Sequence, residues 1–353
     1  MTTSNMRKPT VGQDASQALR QELMAISNEW RTRHPFLHRQ QNAIGALIMI
    51  VCMGVMALSG FAYVAGWLGA IPTVVIIAIA TSFIHELEHD LIHYAYFKNQ
   101  PVAHHLMMLC CWLTRTGTIN PWIRRYVHLL HHKVSGTPKD LEERGITNGQ
   151  RWTPFRFLML LDGMVALFGR SGDALKAGRF KLLVVRGLAA YFPIGLAHYV
   201  LWYIYLSFHL STWLQPEWAN QFWSTTIVDA MPLIDIIAVV WIWPFFIRSF
   251  CLQFISSNMH YYGDVEDNNI IQQTQVWNRW WLAPLHLFCF NFGATHGIHH
   301  FVVRDPFYVR QWVAKASHER MKAAGVRFND FGTFKRANRF QTMRSPNTVG
   351  ETS

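Results

Sequence analysis

The stretch VHLLHHKVSG places His128, His131 and His132 within five residues, and ATHGIHHFVV repeats that spacing at His296, His299 and His300. With 18 histidines in 353 residues, chance supplies about 0.05 copies of H-x-x-H-H, so two copies need a cause. On a helix this spacing aims imidazoles from i, i+3 and i+4 across one narrow face. FIHELEHDLIHYAY adds His85, His89 and His93 at i, i+4 and i+8, again one face, and SSNMHYYGD adds His260. Imidazoles packed so closely repel when protonated, whereas a bound metal holds them neutral. Imidazole suits zinc, copper, iron and nickel, and eight or more such ligands exceed what one ion can hold. Two metal ions are the natural count.

The elements that must position these clusters are apolar. AIGALIMIVCMGVMALSGFAYVAGWLG, about 43–69, exceeds the roughly 20 residues that span a bilayer, and AIPTVVIIAIATSFI (70–84) reads as the return helix of a hairpin. Runs at 182–208 and 227–247 form a second pair, with Pro193, Pro232 and Pro244 as the points where they kink. FRFLMLLDGMVALFG (155–169) is shorter and flanked by arginines, so it reads as a helix lying along the interface. The expected fold is an all-α integral membrane protein of about four transmembrane helices in two hairpins, with interfacial helices and a cytoplasmic cap holding a histidine-rich di-metal site. It divides into an N-terminal arm (1–40), a membrane domain (41–305) and a basic tail (306–353).

Lysine and arginine orient this arrangement. Six lie in the arm, thirteen in 97–181 and eleven from 256 onward, while the short loops near 66–70 and 209–226 carry none. Both termini and the central loop are therefore expected on the cytoplasmic side. The three histidine clusters and His260 then share one side of the membrane, where they can converge. The net charge of +11 is accounted for by anionic headgroups, with no nucleic acid needed. Some forty polar residues precede the first apolar run, so no signal peptide is expected. The five cysteines have no C-x-x-C spacing and read as buried small hydrophobes. The final RSPNTVGETS reads as a frayed end.

His85-x3-His89, His128-x2-His131-His132 and His296-x2-His299-His300, in this order and in these segments, resemble the three histidine boxes of the membrane fatty-acid desaturase and hydroxylase superfamily, over about residues 40–305. The resemblance implies a non-haem di-iron centre held by the eight box histidines, with dioxygen as co-substrate. His260, just past the last spanning helix, is implied as a further ligand, with Asn258 as its rival. His93 is either a ligand or stands behind one. The substrate implied is a fatty acid or acyl lipid from the bilayer. Electrons are implied to come from a separate carrier of the ferredoxin, rubredoxin or cytochrome b5 type, steered to a cationic face. Asp90, Asp264 and Glu266 are candidates to orient ligand imidazoles, against the plainer reading of capping or solvated carboxylates.

The resemblance leaves the product open. A second hydrogen abstraction desaturates the chain, and oxygen rebound hydroxylates it. Loss of the carboxyl group after β-hydrogen abstraction yields a terminal alkene. HELEH and SSNMHYYGD resemble the bacterial desaturase-like decarboxylases that make 1-alkenes from medium-chain free fatty acids, which implies a bacterial inner membrane. A carotenoid hydroxylase or ketolase is the alternative within the superfamily. A free acid needs a cation near the metals, and Arg124, Arg125 and Lys133 are candidates by position.

HELEH is also H-E-x-x-H, the zinc-hydrolase signature, with Glu86 as general base and Asp162 as third ligand in the manner of site-2-type intramembrane proteases. That reading leaves six box histidines and His260 without a role, since one zinc needs three protein ligands. A metal or haem carrier is the non-enzymatic alternative. Histidines on loops rather than along membrane helices argue against a transport path. His104 and His105 read as a surface or interfacial pair, His198 and His209 as structural, and the tryptophans of STWLQPEWANQFW and VWNRWW as interfacial anchors.

Overall fold

The computed structural model describes residues 11–335 except 138, 148, 170–174, 177, 218–220, 263, 264, 267 and 268. Helix α1 (Val11–Arg33) precedes the expected hairpin of α2 (Gln41–Val64) and α3 (Ala70–Ile92). α2 shows lipid an apolar face that includes Leu47, Ile50, Leu58 and Phe61. α3 does not stop where its apolar run does. It continues through HELEHD, and all of Ile84–Ile92 is buried. At 1.5 Å per residue its 23 residues cover roughly 35 Å, enough to cross the hydrocarbon and deliver the first histidines at its far end.

Two short helices follow, α4 (Pro101–Thr114) and α5 (Pro121–Val134), each begun by a proline whose missing N–H costs nothing in a first turn. Asn120 caps α5 by accepting from the Trp122 N–H at 3.0 Å. α6 (Leu141–Gly145) is capped by Asp140. The expected interfacial run is two helices, α7 (Pro154–Leu161) and α8 (Gly163–Phe168), broken at Asp162. The Asp162 carboxylate caps α8 through the Met164 and Val165 N–H groups at 2.8 and 3.1 Å.

The expected span at 182–208 is bent rather than continuous. α9 (Phe180–Tyr191) and α10 (Ile194–Leu214) meet at 97° across Pro193, which cannot supply the ladder N–H there. Among the described residues, three helices are thus long and apolar enough to cross a membrane, or four if the bent pair is one span. The last, α11 (Thr225–Met259), is 35 residues long and carries Pro232 and Pro244 within it, beside a π-helical turn at Ala238–Ile242. Its roughly 52 Å exceeds the hydrocarbon thickness, so its final turns rise out of the membrane as a wall of the cap.

The cap is completed by α12 (Phe292–Phe301), α13 (Phe307–Ala323) and a parallel pair of two-residue strands, β1 (Gln275–Val276) and β2 (Arg327–Phe328), in register Gln275 to Arg327. Both terminal segments are built into it. Leu19 and Leu23 of α1 pack on Val276, Ile298, Phe301 and Met321, and Ser27 and Arg31 both bond Asp305. Arg310 of α13 forms a buried ion pair with Glu86 at 2.8 Å and with Asp90 at 3.2 Å. RSPNTVGETS lies outside the described residues. All five cysteines are free, four of them buried. Trp277, expected at an interface, is a core residue at 1% exposure, whereas Trp280 of the same motif is 85% exposed.

Candidate metal centre

α3, α5 and α12 turn their histidines toward one another, and the end of α11 adds His260. The His89 ring centroid lies 4.7 Å from His128, 5.3 Å from His296 and 4.1 Å from His299. Two groups of nitrogens converge, one from His89, His93, His128 and His299, the other from His131, His260 and His300. Within each, the ligand atoms lie within 4.8 Å of one another. His132 lies between the groups, its Nε2 3.2 Å from His128 Nε2 and 3.0 Å from His299 Nε2, with its ring centroid 4.9 Å from His300. His296 joins the second group, Nε2 to His300 Nε2 at 3.2 Å. His85 sits at the edge, its ring centroid 6.5 Å from His89.

Three carboxylates hold this assembly from behind. His128 Nδ1 donates to Glu142 at 2.7 Å and His131 Nδ1 to Asp140 at 2.7 Å. His260 Nδ1 donates to the Ser256 carbonyl at 2.9 Å and lies 3.3 Å from Glu143. These partners only accept, so Nδ1 carries the proton and Nε2 offers its lone pair to the interior. The local reason is the turn after α5. Gly136 adopts φ +82°, and a Cβ there would lie 2.3 Å from Val265 Cγ2. The reversal lays D-L-E-E over H-x-x-H-H. Asp140, Glu142 and Glu143 escaped the sequence reading. Their signal is three acids 8 to 11 residues after His132 in an otherwise basic segment.

Burial disfavours the charged imidazole throughout. It pushes His93 down to about 2 and His260 down to about 3, helped by the neighbouring histidines, and it holds His128, His132, His296, His299 and His300 low. His131 is the exception. Burial opposes its protonation, but the hydrogen bond and charge of Asp140, with Glu142 and Glu143, outweigh it and raise the metal-free group to about 9, so a metal bound at Nε2 would displace a proton.

The donor set fits metal ions. His85 and His89 leave both ring nitrogens, and His299 its Nδ1, buried without a partner. Lone pairs facing each other near 3 Å repel unless a cation lies between them. Imidazoles backed by carboxylates suit iron, zinc, copper or nickel. Asp140→Asn should lower metal affinity about 10- to 100-fold while keeping the α6 cap, because asparagine caps as well as aspartate. Metal retention against a series of chelators measures this, and wild-type retention would remove Asp140 from the orienting role.

The other candidates have different placements. Asp90 accepts from Tyr96 Oη at 3.1 Å, the Phe307 N–H at 2.8 Å and Arg310, so it ties α13 to α3 and none of these partners is an imidazole. Asp264 lies outside the described residues. Glu266 is exposed and accepts from Asn269 Nδ2 at 2.9 Å. Asn258 donates its side-chain amide to the Phe254 carbonyl at 2.8 Å, whereas the His260 ring lies 5.1 Å from both His296 and His300. Arg124 faces a cavity beside the histidines and pairs with Glu88 at 2.6 Å. Arg125 stacks on Tyr94 at 4.3 Å and bonds the Leu91 carbonyl and His104. Lys133 is exposed. His104, expected at a surface, is buried against Tyr96 and Arg125 because its helix packs on α3. His198 pairs with Thr116 at 2.8 Å and His209 with Asp235 at 2.7 Å. The hydrolase reading finds no support. Glu86 is spent on Arg310, and Asp162 on its cap and on Tyr203 Oη at 2.9 Å.

Compared with known families, the chain matches the fatty acid desaturase family over residues 65–332. A comparison with curated proteins gives no match.

Proposed function

The chain belongs to the fatty acid desaturase family, and from that premise we propose that it is an integral membrane di-iron oxidase that removes hydrogen from a fatty-acyl chain. Family membership makes it an oxidoreductase of the desaturase and hydroxylase kind acting on lipid. The observation that carries the finer reading is the convergence of the two nitrogen groups from four helix ends. In this reading the eight box histidines and His260 hold the irons, and His93 joins them, since its Nε2 lies 3.1 Å from His299 Nε2. When bound, such a pair supplies the dioxygen-dependent redox chemistry against an unactivated C–H bond that no side chain can perform.

The chain's own residues do the rest. Asp140, Glu142 and Glu143 fix the imidazoles. A cavity of about 240 Å3 reaches the histidines between Ile119, Val127, Phe245, Leu252 and Phe292, apolar walls that keep water from the reacting carbon. An apolar groove of about 570 Å3, lined by Leu188, Leu196 and Val200 among others, shares Tyr199 with that cavity and offers the acyl tail a greasy path from the bilayer. Removing two hydrogens from the chain while dioxygen becomes two waters consumes two further electrons and two protons. An external carrier of the ferredoxin, rubredoxin or cytochrome b5 type must supply the electrons, and a basic cytoplasmic cap suits an acidic one. The distribution of basic residues supports a cytoplasmic cap, and the membrane in this reading is a bacterial inner membrane.

The test is metal analysis of detergent-purified protein with single-turnover product analysis on dodecanoic acid under oxygen. About two irons per chain are expected. An unsaturated C12 acid identifies a desaturase, a hydroxy acid a hydroxylase, and a C11 terminal alkene with carbon dioxide a decarboxylase. One zinc per chain, and no oxidation of any acyl substrate, would defeat the reading.

A further inference from the structure

Among the described residues, Arg248 stands in the cavity wall without a counter-ion. It is 1% exposed, and its Nε and Nη1 are buried with no hydrogen-bond partner. Its described contact is the Phe245 ring, 5.6 Å from the guanidinium carbon. It belongs to the α11 face Phe245, Arg248, Ser249, Leu252 and Ser256, which lines the cavity at helical spacing. Two other arginines line the same space, Arg115 and Arg124, and both are engaged by Glu88 at 2.6 Å. The acids that line the cavity, Glu142 and Glu143, face His128, His131 and His260. Among the described residues Glu88 is the carboxylate ion-paired with this arginine group, and it bonds Arg115 and Arg124 but not Arg248. An arginine cannot shed its charge, and an unpaired buried cation is costly unless something anionic completes it.

We propose that Arg248 anchors the carboxylate of a free fatty acid in this cavity. This rests on the oxidase reading for its consequence, not for the binding itself. The guanidinium fork matches a carboxylate, and the apolar walls match the chain that follows it. The ester of a phospholipid and the thioester of an acyl carrier present no charge at the acyl carbonyl, so neither answers an unpaired cation this deep. All three arginines line the same cavity as His85 and His89 at the edge of the histidine assembly. A carboxylate held at Arg248, with its tail leaving past Tyr199 into the apolar groove, keeps the carbons nearest the head beside the histidines. Oxidation is then confined to the carboxyl end of the chain.

The test is equilibrium binding of radiolabelled dodecanoate to the full chain in detergent, with methyl dodecanoate and dodecyl phosphate as competitors. Binding needs no turnover, so it stands apart from the metal and product analysis that decides the oxidase reading. The wild type should hold dodecanoate about 10- to 100-fold more tightly than the methyl ester, the range of a charge-assisted pair. Arg248→Gln should reduce that ratio to within about twofold, and Arg248→Lys should restore part of it. Removing an uncompensated buried charge should leave the melting temperature unchanged or raise it, whereas a structural arginine would lower it on removal. Equal binding of acid and ester by the wild type would overturn the proposal. So would an undiminished ratio in Arg248→Gln. Dodecyl phosphate displacing dodecanoate at lower concentration would reassign the site to a phosphate head.

Discussion

His299→Ala should strip the protein of metal and reduce turnover by more than the roughly 10- to 100-fold expected for a residue that only orients a ligand. His299 is fully buried, and its Nε2 faces His132 at 3.0 Å and His93 at 3.1 Å. Its ring centroid is 4.1 Å from His89, so it is where α3, α5 and α12 meet. Alanine removes a donor from the first nitrogen group and opens a gap that water fills, and the remaining imidazoles cannot close on the ion. His198→Ala is the matched control, because His198 is equally buried but bonded to Thr116. Metal content by mass spectrometry should fall in the first variant and hold in the second. Full metal content in His299→Ala would take His299 out of the ligand set, and with it the reading that all three boxes serve one centre.

Glu88→Gln should destabilise the fold by about 3–5 kcal/mol, the cost of breaking a buried ionic group by removing one side. Glu88 accepts from Arg115 and from Arg124, each at 2.6 Å, and is itself fully buried. Glutamine keeps the shape and loses the charge, leaving both guanidinium groups beside Arg248 without their paired carboxylate. Arginine has no neutral form to fall back on. The double variant Glu88→Gln, Arg115→Gln removes one of the stranded cations and should be less destabilised than the sum of its singles. The midpoint of unfolding in a denaturing detergent measures both. Strictly additive losses would mean the three groups are held by packing, not by their charges.

The chemistry was legible in the sequence because its signals are local. H-x-x-H-H places imidazoles on one face of any helix whatever surrounds it, and a run of apolar residues longer than the bilayer is thick must span it or be buried. Those two facts, with the distribution of basic residues, were enough to expect the histidines on one side and to name the family's motifs. Proline also speaks locally, but only tertiary packing decided that Pro193 would turn the chain by 97° while Pro232 and Pro244 would be carried inside a helix. Whether a proline bends a helix depends on the neighbours that take up the freed carbonyls.

The carboxylates show the other side of the same physics. Asp90 stands one residue from His89 and looks like its natural support, yet it faces Tyr96, Phe307 and Arg310. The supports are Asp140, Glu142 and Glu143, brought over α5 by the turn at Gly136. Adjacent residues on a helix point about 100° apart, so closeness in sequence does not favour contact there. Arg248 was legible only as one basic residue near the inner end of a span. That it lacks a partner among the described residues is a statement about the acids in its surroundings, and this the folded chain alone determines. Sequence by itself named the candidate ligands and the helical spacing that lets them gather. The tertiary structure decided which groups hold them, and which charge is left for a substrate, because both depend on contacts between residues far apart in the chain.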